Sequence, residues 1–391
     1  MELKDKIISE VEKNKDELIN LSDYIFDNPE LSFEEFKAVK VLTDKLTAHG
    51  FKVEQGVKGI ETAFKATFEG KEQGPTIGIL AEYDALPEIG HACGHNLIGT
   101  ISIGAAISIS KYMKDLKGTL VVYGTPAEEG GGGKVIMIEK GCFTDLDCAM
   151  IIHPADKTMV DDISLANAEL VITFHGKPAH AAAFPHEGIN ALEAVIQTFN
   201  NINGLRGHLK DDIRIHGIIT KGGVVTNIVP ELAECRFSVR ALKRKDLDKI
   251  VEKIYKCSEA ASLSTGAKLE FKQEELSYDE IMNNSILTKQ LEKNYLLVGE
   301  KVYPRNIEEG LGSTDMGNVT QVLPGFQSYI GLGEGLATHT TGFADACGSE
   351  AGHRALITAT KALALTAIDL FQNPELVEKA QEEYKALKEE I

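Results

Sequence analysis

Cys93 and His95 stand two apart in AEYDALPEIGHACGHNLIGT, residues 81–100, just after the apolar run Thr76–Ala81. Further on, PAEEGGGG supplies Glu128 and Glu129, IIHP supplies His153, and ATHT supplies His339. A divalent ion deprotonates a thiol readily and takes neutral imidazole nitrogens. Adjacent carboxylates point in different directions. One of them can bind metal while the other faces bound water and moves its proton. The set fits a binuclear metal site with its own general base, and so a metal-dependent hydrolase.

Each residue alone has an ordinary explanation. A lone cysteine among apolar neighbours is usually a core thiol. A Glu pair is usually a solvated turn, and a His before Pro an exposed strand end. Register argues the other way, because three of the groups follow strands in an alternating region, where ligands collect in open α/β sheets. The four glycines after the Glu pair let backbone approach a crowded site. GGGGK is not a phosphate loop, because Lys134 is followed by Val135 rather than Ser or Thr. His91 could sit behind the site or do nothing. A cysteine nucleophile with His95 as its base is a rival, but the spacing is poor and no local oxyanion partner is suggested. A non-catalytic metal-dependent binding protein is a third reading, disfavoured because every position that chemistry needs is filled.

The positioning elements follow from periodicity. Residues 2–26 and 32–50 read as helices. Then strand and helix alternate: Thr76–Ala81, helix Asn96–Met113, strand Thr119–Tyr123, helix Gly133–Lys140, strand Cys148–Ile152. The alternation predicts an α/β fold, a mostly parallel sheet sandwiched by helices. From about residue 167 the order becomes β-α-β-β-α-β, which fits a small inserted α+β, ferredoxin-like domain. The larger pattern resumes near residue 281 with helix Asn283–Val298, strand Gln327–Leu332, helix Glu350–Phe371 and an amphipathic tail. The expected organisation is one discontinuous domain, 1–166 and 281–391, carrying an insert at 167–280.

The chain has 391 residues, 43% of them hydrophobic, enough for two cores. A formal net charge of −18 argues against nucleic acid and anionic membranes as partners. No apolar run reads as long enough to span a bilayer, and the N-terminus has no signal-peptide core. Six scattered cysteines fit reduced thiols and a cytoplasmic protein.

ACGH, PAEEG, GKPAHAAAFPHEGINAL, GGVVTNIVP and GLATHT together resemble the glutamate carboxypeptidase–aminoacylase family of metallohydrolases, peptidase family M20, over nearly the whole chain. Cys-Gly-His resembles its amidohydrolase branch. The resemblance implies a zinc-exopeptidase-like catalytic domain with a lid and dimerisation insert. It implies two divalent metals held by Cys93, His95, Glu129, His153 and His339, with Cys93 as bridge and Asp84 ordering the site. Zinc suits the donors, with manganese, cobalt or nickel as alternatives. Glu128 would be the general base, His180 would stabilise the oxyanion, and Asn227 and Arg240 would bind substrate. The implied reaction is amide hydrolysis of a small N-acyl amino acid or dipeptide by a homodimer. Asn96 and Ile98 replace the branch's more usual Asp and His, and AEYDALP replaces a pattern with Asp and Met. Both variants resemble the dipeptidase and aminobenzoyl-glutamate side more than the auxin-conjugate side.

Overall fold

The computed structural model describes residues 2–274, 276–306 and 310–390. The chain divides into two compact units, Met1–Ile163 with Ile281–Ile391, and Ser164–Glu280. Among the described residues, ten strands run in chain order: β1 (Lys52–Gln55), β2 (Phe64–Glu69), β3 (Glu72–Ala81), β4 (Lys117–Gly124), β5 (Cys148–Ala155), β6 (Ala166–His175), β7 (Arg214–Lys221), β8 (Leu232–Ala241), β9 (Lys268–Gln273) and β10 (Gly325–Gly331).

The larger unit holds a six-stranded sheet in the order β1-β2-β4-β3-β5-β10. β4, β3, β5 and β10 are mutually parallel, while β1 and β2 join as an antiparallel hairpin. The hairpin is absent from the sequence reading, although Phe64 and Ala66 alternate inward with period two. β1 is short and mostly exposed, so its sequence carries almost no apolar signal.

The helix His95–Ser110 is buried along its whole length, as expected of a helix apolar on every side. It packs against β3, β4, β5 and the helices Lys15–Asp27 and Glu350–Gln372. By length and composition Glu350–Gln372 could cross a membrane, although Arg354, Lys361 and Asp369 interrupt its apolar run. In the fold it is a core helix, buried over most of its length. The N-terminal segment is two helices rather than one, Leu3–Lys13 and Lys15–Asp27. Asn14 separates them, an amide side chain that competes with helical hydrogen bonding. The next helix begins at Phe36 instead of Ser32, because residues 31–35 form a turn with Phe33 at φ 63°.

The smaller unit is a four-stranded antiparallel sheet in the order β7-β8-β6-β9. Alternate residues of β6 and β8, such as Leu170, Ile172, Phe174, Cys235, Phe237 and Val239, form its core. The helices Ala191–Arg206 and Arg244–Thr265 pack on that sheet and on each other. Asn190 starts the first of them, its side chain accepting from the Leu192 and Glu193 amides.

Ile103 is fully buried on the helix that His95 begins. Ile103→Ala should lower stability by about 2–5 kcal/mol, measured by urea unfolding. A loss below about 1 kcal/mol would mean that this helix is not the packing centre of the larger unit.

Candidate metal centre

The C-terminal ends of β4, β3 and β5 lie side by side, and each feeds the same place. Glu82 and Asp84 follow β3, the turn at Glu128–Gly131 follows β4, and His153 lies near the end of β5. Cys93 and His95 flank Gly94, which takes φ 80° at the start of its helix. A Cβ at Gly94 would come within 2.4 Å of Pro154 Cγ, so only glycine lets the cysteine loop close onto β5.

The structure brings seven of the expected residues together. Cys93 Sγ lies 3.3 Å from His153 Nε2. His95 Nδ1 meets Asp84 Oδ1 at 2.8 Å, and the other Asp84 oxygen accepts the Glu129 backbone N–H at 2.9 Å. His339 Nε2 approaches Glu129 Oε1 at 3.3 Å. Its loop is tied back by the His339 N–H donating to Ala92 O. Among the described residues, three ligand sets have donor atoms within 4.8 Å of one another: Cys93–His95–His153, Cys93–Glu129–His339 and His95–Glu128–Glu129.

The donor set fits a metal. His95 Nε2 and Glu129 Oε1 are buried without a hydrogen-bond partner. Such orphans are costly unless something satisfies them, and a cation between them would satisfy both. With Nδ1 committed to Asp84, Nε2 is the nitrogen left to coordinate, the arrangement common behind metal-bound imidazoles. Burial lowers His153 to about 4, with the His95 charge adding to it, so this ring is neutral and ready to ligate. Burial would raise Glu129, but His339 and His95 overcome it and hold the carboxylate at about 2. Cys93 is the contrary case, its thiol pushed well up by burial and by the two glutamates, so its thiolate needs a cation beside it. Burial also raises Glu128, with Glu82, Asp315 and Glu129 adding to the rise.

Three charged residues of the site are missing from the sequence reading. Lys134 Nζ lies 2.5 Å from Glu82 Oε1 and 2.6 Å from Asp315 Oδ1, with all three side chains buried. Burial would strip the Lys134 proton, but Asp315, Glu82 and Glu128 keep it charged. Glu82 Oε2 in turn lies 3.5 Å from His95 Nε2. The signal in the sequence is a charged residue standing next to apolar ones, which for Lys134 is masked by the incomplete phosphate-loop pattern GGGGK. His91 is a neighbour, not a donor to the cluster: its Nε2 lies 3.1 Å from Ile25 O and its ring stacks on Phe26. Asn96 anchors its helix by donating to Ser22 Oγ.

His180, Asn227 and Arg240 belong to the smaller unit. His180 Nδ1 accepts from the Ala182 and Ala183 amides, which leaves the ring's Nε2–H as a donor. The Ala181 N–H donates to Asn227 O, so His180 and Asn227 are neighbours near the start of β8. Arg240 lies at the other end of that strand, opposite Asn167 and Arg214. At about 3.4 Å per residue, Leu232 to Arg240 spans roughly 27 Å. One copy of this unit does not bring Arg240 to the same place as His180 and Asn227.

Fold and site define a hydrolase of amide or peptide bonds. A peptidase dimerisation domain model matches residues 166–265. The Xaa-Arg dipeptidase of Homo sapiens is 37% identical over 93% of this chain and 88% of its own length. A p-aminobenzoyl-glutamate hydrolase polypeptide of Escherichia coli (strain K12) is 30% identical over 96% of this chain and 93% of its own. A dinuclear metal-binding peptidase of the M20 family from Bacillus subtilis shares the fold at TM-score 0.74 and 22% identity, covering 92% of this chain and 99% of that one. The chain therefore belongs to the M20 family of amidohydrolases and dipeptidases.

Lys134→Met would leave Glu82 and Asp315 buried without their cation. It should destabilise the protein by about 3–5 kcal/mol, read by urea unfolding; a change under about 1 kcal/mol would show that the triad carries no stability. Metal uptake should also release protons at neutral pH. Cys93, His95 and His339 all hold theirs above their usual values before an ion binds, whereas His153 and Glu129 have none to lose. Affinity therefore rises with pH, and calorimetry in buffers of different ionisation enthalpy should give about two to three protons per loaded site. Uptake without proton release would exclude Cys93 as a thiolate ligand.

Proposed function

We propose that this protein is a metal-dependent dipeptidase that cleaves the amide bond of small dipeptides or N-acyl amino acids. The observation that carries the reading is the buried pair of orphaned atoms, His95 Nε2 and Glu129 Oε1, amid Cys93, His153 and His339. These five residues would hold two divalent ions. The mixed sulfur, nitrogen and oxygen donors favour zinc, with manganese, cobalt or nickel as alternatives. Bound there, the ions would polarise the scissile carbonyl and acidify water.

The chain's own residues do the rest. Glu128 accepts the proton of the attacking water and delivers it to the leaving amine nitrogen. Its raised proton affinity suits a group that must take and return a proton near neutral pH. Asp84 orients His95 and fixes the Glu129 backbone. His180 Nε2–H and the Asn227 amide serve the developing oxyanion, and Arg240 receives the substrate carboxylate.

A homodimer accounts for the separation of Arg240 from His180 and Asn227, since each active centre can draw the two groups from different copies. The dimerisation-domain match supports this assembly. So does edge strand β7, where Ile218 is 64% and Ile219 46% exposed, together with the nearby Val224 and Val225. The larger unit thus serves as the catalytic domain and the smaller as the lid and dimerisation domain. Six buried, unpaired thiols favour a reducing, cytoplasmic setting.

The favoured substrate carries a basic C-terminal residue. The relative at 37% identity is an Xaa-Arg dipeptidase, and a net charge of −18 draws cations toward the protein. The test is a panel of Xaa-Arg, Xaa-Lys and Xaa-Glu dipeptides plus p-aminobenzoyl-glutamate, given to metal-stripped protein with each divalent ion restored. Metal-restored cleavage of the basic dipeptides is expected, and preference for the glutamate compounds would overturn the substrate class. Glu128→Gln should lower kcat by about 10²–10⁴-fold with metal content kept. Near-normal turnover in that variant would sink the mechanism.

A further inference from the structure

Glu35 is a buried acid that the mechanism above does not use. It lies in the turn before the helix Phe36–Ala48 and is fully buried. Its Oε1 accepts two backbone N–H groups at 2.9 Å each, from Phe33 and from Ala127. Both donors belong to non-glycine residues in the left-handed region, φ 63° at Phe33 and φ 59° at Ala127. L side chains resist that conformation, so it persists only where the surroundings enforce it. Ala127 immediately precedes Glu128.

The same segment touches the centre's scaffold at two more points. The Phe33 ring lies over Gly131, where a Cβ would come within 2.5 Å of a ring carbon. The Glu30 carbonyl accepts the N–H of Ala85, the residue after Asp84. Residues 30–35 therefore grip both stretches that supply the centre's carboxylates. Burial pushes the Glu35 carboxyl up to about 7; the Phe33 amide opposes the rise and Asp84 adds to it. One oxygen remains an acceptor for Ala127 in either protonation state.

We infer that Glu35 is a positioning residue for the catalytic turn: its carboxyl holds Ala127 left-handed and so sets the directions in which Glu128 and Glu129 leave the backbone. The inference rests on the roles proposed for those two residues. A purely structural Glu35 would stabilise the fold without acting on the turn, and a second substitution separates the two. Glycine adopts the left-handed conformation unaided. If Glu35 acts by holding Ala127, Ala127→Gly should relieve its loss.

The experiment compares wild type, Glu35→Ala, Glu35→Gln and the Glu35→Ala/Ala127→Gly double variant in the full chain. The readouts are kcat, KM, thermal midpoint, and zinc affinity of stripped protein by competition with a chromogenic chelator. Glu35→Ala should lose about 10²-fold in kcat with KM within about threefold, and about tenfold in zinc affinity, because Glu129 is misplaced with Glu128. Glu35→Gln keeps the acceptor and should retain at least about a third of kcat. The double variant should recover at least about tenfold in kcat over Glu35→Ala. Wild-type kcat and zinc affinity in Glu35→Ala would overturn the inference, as would a loss that Ala127→Gly does not relieve. If Glu35→Ala does not fold, Glu35→Asp carries the same comparison, since its shorter arm cannot bridge both amides. A wild-type protein with neither zinc binding nor turnover would instead overturn the functional reading.

Discussion

Asp84 is the group on which the geometry of the centre depends. One of its oxygens holds His95 by Nδ1 and the other holds the backbone of Glu129. These two residues arrive from different strands, and Asp84 fixes them relative to each other. The first bond selects which His95 nitrogen is free, and the second fixes the backbone from which the Glu129 carboxylate departs. Burial opposes the ionised carboxyl, yet the His95 charge and the Glu129 amide hold Asp84 below the usual carboxylate range. It is therefore an anion over the whole range in which such an enzyme works.

Behind this contact lies a problem of charge. Glu82, Asp84, Glu128, Glu129 and Asp315 crowd one region of a packed domain, and carboxylates so placed repel one another. Lys134 answers part of this, buried between Glu82 and Asp315. Among the described residues, the side facing Cys93, His95 and Glu129 has no such permanent cation, and there His95 Nε2 and Glu129 Oε1 stand without a hydrogen-bond partner. The protein places its fixed positive charge on one side of the acid cluster and leaves the other side to donors that suit a divalent ion. The burial that makes those donors costly without a partner also strengthens every electrostatic interaction the centre makes.

The smaller unit follows a different logic. Its core is ordinary, one face of an antiparallel sheet covered by two helices. Its functional candidates lie at the two ends of β8, and Ile218 and Ile219 of its outer strand are exposed. An apolar edge strand of this kind leaves unpaired backbone groups and side chains that a further strand could cover.

Much of this was legible in the sequence because ligation demands residue types. Cys93, His95, Glu128, Glu129 and His153 stand out together by donor chemistry and by following strands, whereas His339, in a Gly/Thr-rich loop, joins them through the family resemblance. The small domain's succession of strands and helices along the chain showed in its alternation of pattern. The β1–β2 hairpin did not, because a short edge strand buries too little to leave a periodic trace. The break at Asn14 and the late start of the helix at Phe36 depended on local backbone geometry that periodicity does not report. Lys134, Glu82 and Asp315 were invisible as a set, because charge compensation joins residues by distance in space and not by spacing along the chain. Glu35 is the extreme case. Its partner amide lies 92 residues away, and only folding brings its carboxyl to a strained alanine beside Glu128. The sequence by itself determined which atoms could hold a metal and move a proton. The tertiary structure decided which of them meet, which nitrogen of His95 is free, and what holds the carboxylates in place, because those are matters of burial and direction that a linear order does not contain.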